Sequence, residues 1–195
     1  MMAAFAQVPA GDPVSSGIET PTTEAALVRA TLDGDAGAYA DLVHMHSRRV
    51  YNYIHQMTRQ VQDAEDLTQQ AFIKAYASLH RFDTERPLIN WLLTIARRCT
   101  LNHFRAARRW EAISEDVASS VPSPSESAER RDQVESLWER ARRDLSQREF
   151  EVMWLRYAEE FSVEETARIT GLTRPHVKIL VFRARHRLMK GMAHP

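Results

Sequence analysis

The sequence predicts an all-α protein of two small helical domains joined by a flexible acidic linker, the second domain containing a helix-turn-helix. Three observations predict it. Apolar residues recur at helical spacing on both sides of the linker, and no segment alternates with period two for long. Ser146 with Glu149, and Ser162 with Glu165, form two S-x-x-E capping boxes, each ahead of an apolar helical run. Between them and the first half lies AISEDVASSVPSPSESAE (112–129), rich in Ser and acid, with Pro122 and Pro124 and few large apolar residues.

In chain order, residues 1–21 (MMAAFAQVPAGDPVSSGIETP) have no Lys or Arg ahead of their apolar residues and include prolines. This is a disordered tail rather than a signal peptide. Residues 22–110 form the first domain. Thr22 or Thr23 caps a helix with Ala26, Leu27, Ala30 and Leu32 on its buried side, and Gly34 ends it. Asp35 caps a long helix from Ala36 to about Arg59, with Tyr39, Val43, Val50, Tyr53, Ile54 and Met57 at the helical period. A third helix runs from about Asp63 to His80 and a fourth from about Ile89 to Arg109.

Residues 111–131 are the linker, where a protease is expected to cut first and release two folded fragments. Residues 132–192 form the second domain. Val134, Leu137, Trp138 and Ala141 begin a helix, and Ser146 caps the next one, which carries Phe150, Met153, Trp154 and Tyr157. Ser162 caps a short helix with Val163, Ala167 and Ile169 on its apolar side. Gly171 supplies the left-handed residue that ends it, and Leu172 packs inward. Thr173 opens the last helix, with Pro175 tolerated in its first turn. There Val177, Val181, Ala184 and Leu188 make one stripe, with Leu180 at its edge, and Arg174, Lys178, Arg183, Arg185, Arg187 and Lys190 surround it. A short helix, a glycine turn and a basic helix make a DNA-reading unit. The plainer reading is a helical hairpin with a solvated basic face.

Composition excludes several classes. No apolar run approaches the ~20 residues of a membrane span, and a single cysteine, Cys99, rules out a disulfide framework and fits the cytoplasm. Cys99 itself reads as a buried helix residue. The eight His are scattered without metal-ligand spacing, so no metal or cofactor is expected. The net charge of zero is an average over blocks. Residues 1–44 carry one Arg against six acids, and 45–110 eleven basic residues against five. Residues 111–136 carry two against seven, and 137–195 twelve against eight. Two basic blocks separated by acidic segments suggest two polyanion-binding modules.

Three stretches carry chemistry. In DAEDLTQQAFIKAY (63–76), Asp63, Glu65 and Asp66 complement the helix macrodipole. Asp66, Gln69 and Gln70 share a polar side, with Leu67, Ala71 and Ala75 turned inward; a solvated surface helix is the alternative. From Arg86 to Arg109 there are six Arg and no acid, with Trp91, His103 and Phe104 interleaved. Basic groups track phosphates and aromatics stack on unpaired bases, although Trp91 and Phe104 can also be core, Phe104 more so than Trp91. The helix-turn-helix is the third.

In this order the stretches resemble a bacterial RNA polymerase sigma factor of the extracytoplasmic-function group of the sigma-70 family. The resemblance covers about Glu24 to Lys190. It is carried by DGDAGAYADLVHMHSRRVYNYI, DAEDLTQQAFIKAYASLHRF, WLLTIARR, LSQREFEVMWLRYAEEFSVEETARITGL and VKILVFRAR. It implies a first domain that binds the clamp helices of the polymerase beta-prime subunit and melts the −10 element. The second domain would read the −35 element and touch the beta flap, and an anti-sigma factor would hold the protein in check. By position, Asp63, Asp66, Gln69, Gln70 and Phe72 match the polymerase-binding helix. Arg81 to Asn90 match the loop that captures a −10 base. Trp91, Arg97, Arg98, Asn102, Arg105, Arg108 and Arg109 match the promoter-facing side. Arg174, His176, Lys178, Ile179, Phe182 and Arg183 fall where the family reads the −35 duplex. The chain departs from the family pattern at Leu88, Leu93, Thr94, Pro175, Ile179 and Leu180.

Two rivals stand against this reading. A helix-turn-helix regulator acting without core polymerase would need a sensor or dimerisation domain, where this chain carries a second basic, aromatic helix. A recombinase-like enzyme would need a nucleophile with acid–base partners, and neither Cys99 nor the scattered His and Ser form such a set.

Overall fold

The structure, a computed structural model, describes residues 23–114 and 137–192, less the side chains of 108, 110–114, 137, 191 and 192. The expected tail and most of the expected linker therefore lie outside the described residues, as does Val134. Among the described residues there are eight α-helices and no strand: α1 (Glu24–Leu32), α2 (Ala36–Thr58), α3 (Val61–Ser78), α4 (Leu88–Ser114), α5 (Leu137–Asp144), α6 (Gln147–Tyr157), α7 (Val163–Thr170) and α8 (Arg174–Met192). A 3-10 turn at Leu79–Arg81 follows α3.

The helix boundaries follow local chemistry. Thr23 caps α1 by accepting from the Ala26 N–H, and Asp35 caps α2 by accepting from Gly37 and Ala38. The start of α4 has a long-range cap: the Leu88 N–H donates to Glu24 Oε1 at 3.0 Å, which ties α1 to α4. Both capping boxes form, Ser146–Glu149 on α6 and Ser162–Glu165 on α7. Gly171 is left-handed (φ 68°) and closes α7.

Three sequence expectations are corrected. Leu32 is 48% exposed, and the buried side of α1 is Leu27, Val28 and Thr31 instead. Residue 32 lies about 100° from the centre of that stripe and about 40° beyond Val28 at its edge, in solvent. Helix α4 runs on through Ser114, four residues into the stretch read as linker; nothing before Pro122 breaks a helix. Phe72 is buried, and its carbonyl accepts from Tyr39 Oη at 2.5 Å.

Helices α2, α3 and α4 pack on one another, with α1 against α2; α5, α6 and α7 pack around α8, and α7 lies on α4. The two halves share a core. Leu155, Phe161 and Ile169 from the C-terminal half join the cluster built on Leu42, Tyr53, Ile54 and Leu93 of the N-terminal half. The helix-turn-helix is held by two smaller clusters, Ala141–Leu145–Phe150–Met153–Ala184–Leu188 and Val152–Ala167–Val177–Leu180. A lone helix-turn-helix buries too little to stand alone, and α5 and α6 supply the missing surface.

Candidate nucleic-acid and polymerase interfaces

Three exposed surfaces come out of this packing. On α3 the period of 3.6 sends Leu67, Ala71, Phe72 and Ala75 inward and leaves Asp66, Gln69 and Gln70 in solvent. Ile73, 69% exposed, and Tyr76 continue the line of Asp66 and Gln69 along the helix. The resemblance placed Phe72 here and passed over Ile73. Phe72 flanks the buried stripe of Leu67, Ala71 and Ala75 and enters the core, whereas Ile73 stands on the opposite side of the helix, in solvent. Asp63 turns aside to lie 3.2 Å from His103 Nε2 on α4, so this surface begins at Asp66.

Helix α4, about 40 Å long at 1.5 Å per residue, carries its basic residues on two faces. Arg98, Asn102, Arg105 and Arg109 follow one another at helical spacing and are all exposed, a polar stripe without acid. Arg108 has the same character in sequence, but its side chain is outside the described residues. The second face, with Asn90 and Arg97, turns toward α6 and α7. There Arg97 donates through Nε and Nη2 to the two oxygens of Glu151, at 2.7 and 3.3 Å. Tyr53 Oη donates to the same carboxylate at 2.6 Å. Burial works against the Arg97 charge, yet the Glu151 contacts outweigh it and hold its pKa above the ordinary value. Burial, with Glu151 alongside, pushes the Tyr53 phenol well up, so it stays a donor. Asn90 Nδ2 donates to Glu165 Oε1 at 3.0 Å. Trp91 is half-buried against Phe82, ring centroids 5.3 Å apart. Phe104 lines the cleft between the halves with Arg105, Arg148 and Leu172. Arg81 is exposed on the 3-10 turn, where it donates to His80.

On α8 Val177, Leu180, Ala184 and Leu188 are buried, which aims Lys178, Ile179, Phe182 and Arg183 outward. Phe182 is 71% exposed, its ring stacked on His186. His176 is exposed, its backbone N–H bonded to Thr173 Oγ1, and Arg174 pairs with Glu164 at 2.9 Å. The basic helix is anchored by Glu149. Its carboxylate accepts from the Ser146 N–H (2.9 Å), the Ser146 hydroxyl (2.7 Å) and Arg187 Nη1 (2.8 Å). Burial opposes the Glu149 charge, but the Ser146 bonds and the Arg187 and Arg183 charges prevail and hold its pKa below the usual carboxylate value. The Ser162 bonds, with Asn90, likewise hold Glu165 low. Among the described residues no group of His, Cys, Asp and Glu could hold a metal ion. Chemically, the arrangement offers two basic surfaces for polyanions and one acidic-apolar surface for a protein.

Two family models match the chain in order. Residues 42–110 match the family model "Sigma-70 region 2" and residues 136–188 "Sigma-70, region 4". The chain is 30% identical over 146 residues to the RNA polymerase sigma factor CarQ of Myxococcus xanthus, covering 72% of this chain and 81% of that protein. It is 33% identical over 163 residues to the ECF RNA polymerase sigma factor BldN of Streptomyces coelicolor. That match covers 81% of this chain but only 61% of the length of BldN. Among solved structures, the sigma factor RpoE of Bartonella quintana, in complex with the anti-sigma factor NepR, aligns with a TM-score of 0.64 at 26% identity. The alignment covers 80% of this chain and 97% of that one.

Proposed function

This chain belongs to the extracytoplasmic-function group of the sigma-70 family of RNA polymerase sigma factors, and on that premise we propose how its surfaces divide the work. The exposed face of α3, Asp66, Gln69, Gln70, Ile73 and Tyr76, binds the beta-prime clamp helices of core polymerase. Its acid, Asp66, suits a basic partner, and Ile73 supplies the apolar contact that such interfaces centre on. The α4 stripe of Arg98, Asn102, Arg105 and Arg109, with Trp91, Asn90, Arg97 and the loop from Arg81, takes the melted −10 element. Arginines hold its phosphates and aromatics its unpaired bases. Helix α8 enters the major groove of the −35 duplex, where Lys178, Ile179, Phe182 and Arg183 meet base edges and Arg174 and His176 the backbone. The same C-terminal domain touches the beta flap.

The domains are 22–110 and 132–192, with a tail before them and a linker of 111–131 shortened at its start by α4. The protein has no catalytic residues of its own and acts in the cytoplasm with promoter DNA, core polymerase and an anti-sigma factor. Among the described residues no helix is long and apolar enough to cross a membrane.

One observation carries this reading: two separate basic surfaces, on α4 and α8, stand in the same chain as an acidic-apolar surface on α3. A free-standing helix-turn-helix regulator has no use for the α3 and α4 surfaces. The test is run-off transcription with core polymerase on a genomic promoter library, with gel shifts run with and without core. Start sites that depend on both proteins are expected. Tight, specific duplex binding without core would favour the regulator.

A further inference from the structure

We infer that the outer face of α2 is a surface for single-stranded nucleic acid, where His44, Arg48, Asn52 and Arg59 hold phosphates and the Tyr51–His55 pair takes a base. The surface is separate from the α4 stripe and does not depend on the role proposed for it.

Helical spacing builds the stripe. At about 100° per residue His44, Arg48, Tyr51, Asn52, His55 and Arg59 fall within about 100° of arc. They lie opposite the side on which Leu42, His46, Val50, Tyr53 and Ile54 are buried. His44, Arg48, Asn52 and Arg59 are exposed, and Tyr51 and His55 half-buried. From His44 to Arg59 the stripe runs about 22 Å at 1.5 Å per residue. No Asp or Glu stands between Asp41 and Asp63. A solvated helix face ordinarily sets opposite charges three or four residues apart, and this one does not. Arg49, on another side of α2, pairs with Glu159, but among the described residues Arg48 and Arg59 pair with no acid.

The far end of the stripe carries unbalanced positive charge. Helix α2 closes on Arg59, left-handed at φ 62°, where glycine fits without strain. Arg142 of α5 is within electrostatic reach of it. The Arg142 guanidinium lies over the Phe150 ring at 4.9 Å, and its Nε is buried without a hydrogen-bond partner. Burial and the Arg59 charge press the Arg142 pKa down, against a smaller pull from Glu139. An anion beside the two arginines relieves that repulsion. Midway along the stripe Tyr51 and His55 stack, with ring centroids 5.7 Å apart and planes within 11°. Cations spaced along a strip with rings among them fit a single strand, whose phosphates they track and whose open bases stack. A duplex offers the phosphates but keeps its bases closed, and an acidic polypeptide offers the rings no base.

The test is fluorescence anisotropy of the full-length chain with fluorescein-labelled random-sequence single strands of about 20 nucleotides, one DNA and one RNA. Arg98→Ala and Arg105→Ala are present throughout, so that the α4 stripe does not carry the probe. Arg48→Gln with Arg59→Gly removes two charges, and the glycine relieves the left-handed residue, so folding is kept. Affinity at 0.15 M salt should fall about tenfold, and the slope of log affinity against log salt should shrink by about 1.4, or 0.7 for each lost phosphate contact. Tyr51→Leu should cost about fivefold or more with the slope unchanged. Arg29→Gln with Arg168→Gln, the same loss of charge at exposed sites off the stripe, should change neither. The strand bound more tightly, DNA or RNA, identifies the source. Dichroism melts check folding, and if Tyr51→Leu does not fold, the two arginine pairs decide. The inference is overturned if neither strand binds, if loss of Arg48 and Arg59 leaves affinity and slope unchanged, or if a folded Tyr51→Leu chain binds like its parent. An equal loss on removing Arg29 and Arg168, or equal competition by duplex DNA or polyglutamate, overturns it too.

Discussion

Glu149 joins the cap of α6 to the DNA-reading helix, and Glu149→Gln isolates what its charge contributes. The side chain is almost fully buried and accepts three hydrogen bonds, two from Ser146 and one from Arg187. All three reach the same oxygen, so Gln keeps the volume and an acceptor there but removes the charge that strengthens the bonds. The Ser146 side of this network, a charged acceptor in a capping box, is worth about 1–2 kcal/mol. Arg187 adds well under 1 kcal/mol, because its side chain is 52% exposed and water screens the pair. A loss of about 1–2 kcal/mol at pH 7 lowers the melting temperature of a protein this size by about 2–8 °C. The folded pKa of Glu149 is depressed, so its contribution is fully present above the unfolded value of about 4.3. It is lost as pH falls through the lower folded value. Wild type and variant should therefore converge on acidification, because protonated Glu and Gln are near isosteres. Calorimetric melts from pH 7 down to pH 3 read both effects. Equal stability at pH 7, or a gap that stays constant to pH 3, would refute the assignment of the charge to this network.

Other consequences can be checked as directly. Leu155 is fully buried in the core shared by the two halves, so Leu155→Ala should cost about 2–5 kcal/mol. Tryptophan fluorescence and far-ultraviolet dichroism should report one lowered transition, whereas an N-terminal half melting as in wild type would contradict the shared core. Asp66→Arg combined with Ile73→Ala should weaken core polymerase binding without changing the dichroism spectrum; unaltered affinity would remove α3 from that interface. Ile179→Ser should change the preferred base at one −35 position by ~1–3 kcal/mol while leaving non-specific affinity nearly constant. A binding selection that returns the wild-type motif would place Ile179 outside the reading surface. Arg105→Ala should lower the salt slope of promoter binding by about one unit, and an unaltered slope would put this arginine in solvent.

Much of this architecture is local and was legible in the residues. Ser146 with Glu149, Ser162 with Glu165, Asp35, Gly171 and the Val177–Leu188 stripe act within three to eleven positions of one another. Backbone geometry alone converts such spacing into caps, turns and buried faces. The split of α8 into a buried stripe and an outward Lys178–Ile179–Phe182–Arg183 face follows from the same arithmetic. Elsewhere only packing decided. Phe72 flanks the Leu67–Ala71–Ala75 stripe, and its burial depends on the neighbours packed there, while Ile73 stands opposite it in solvent. Leu32 stays exposed because, among the described residues, no element covers its side of α1. The decisive case is Arg97. Its sequence neighbours mark it as one basic residue among six, but its partner Glu151 lies 54 positions away. Glu165 meets Asn90 across 75 positions. Helical periodicity states which face a residue occupies and says nothing of what will lie against it. That depends on how two halves dock, which only the folded chain decides.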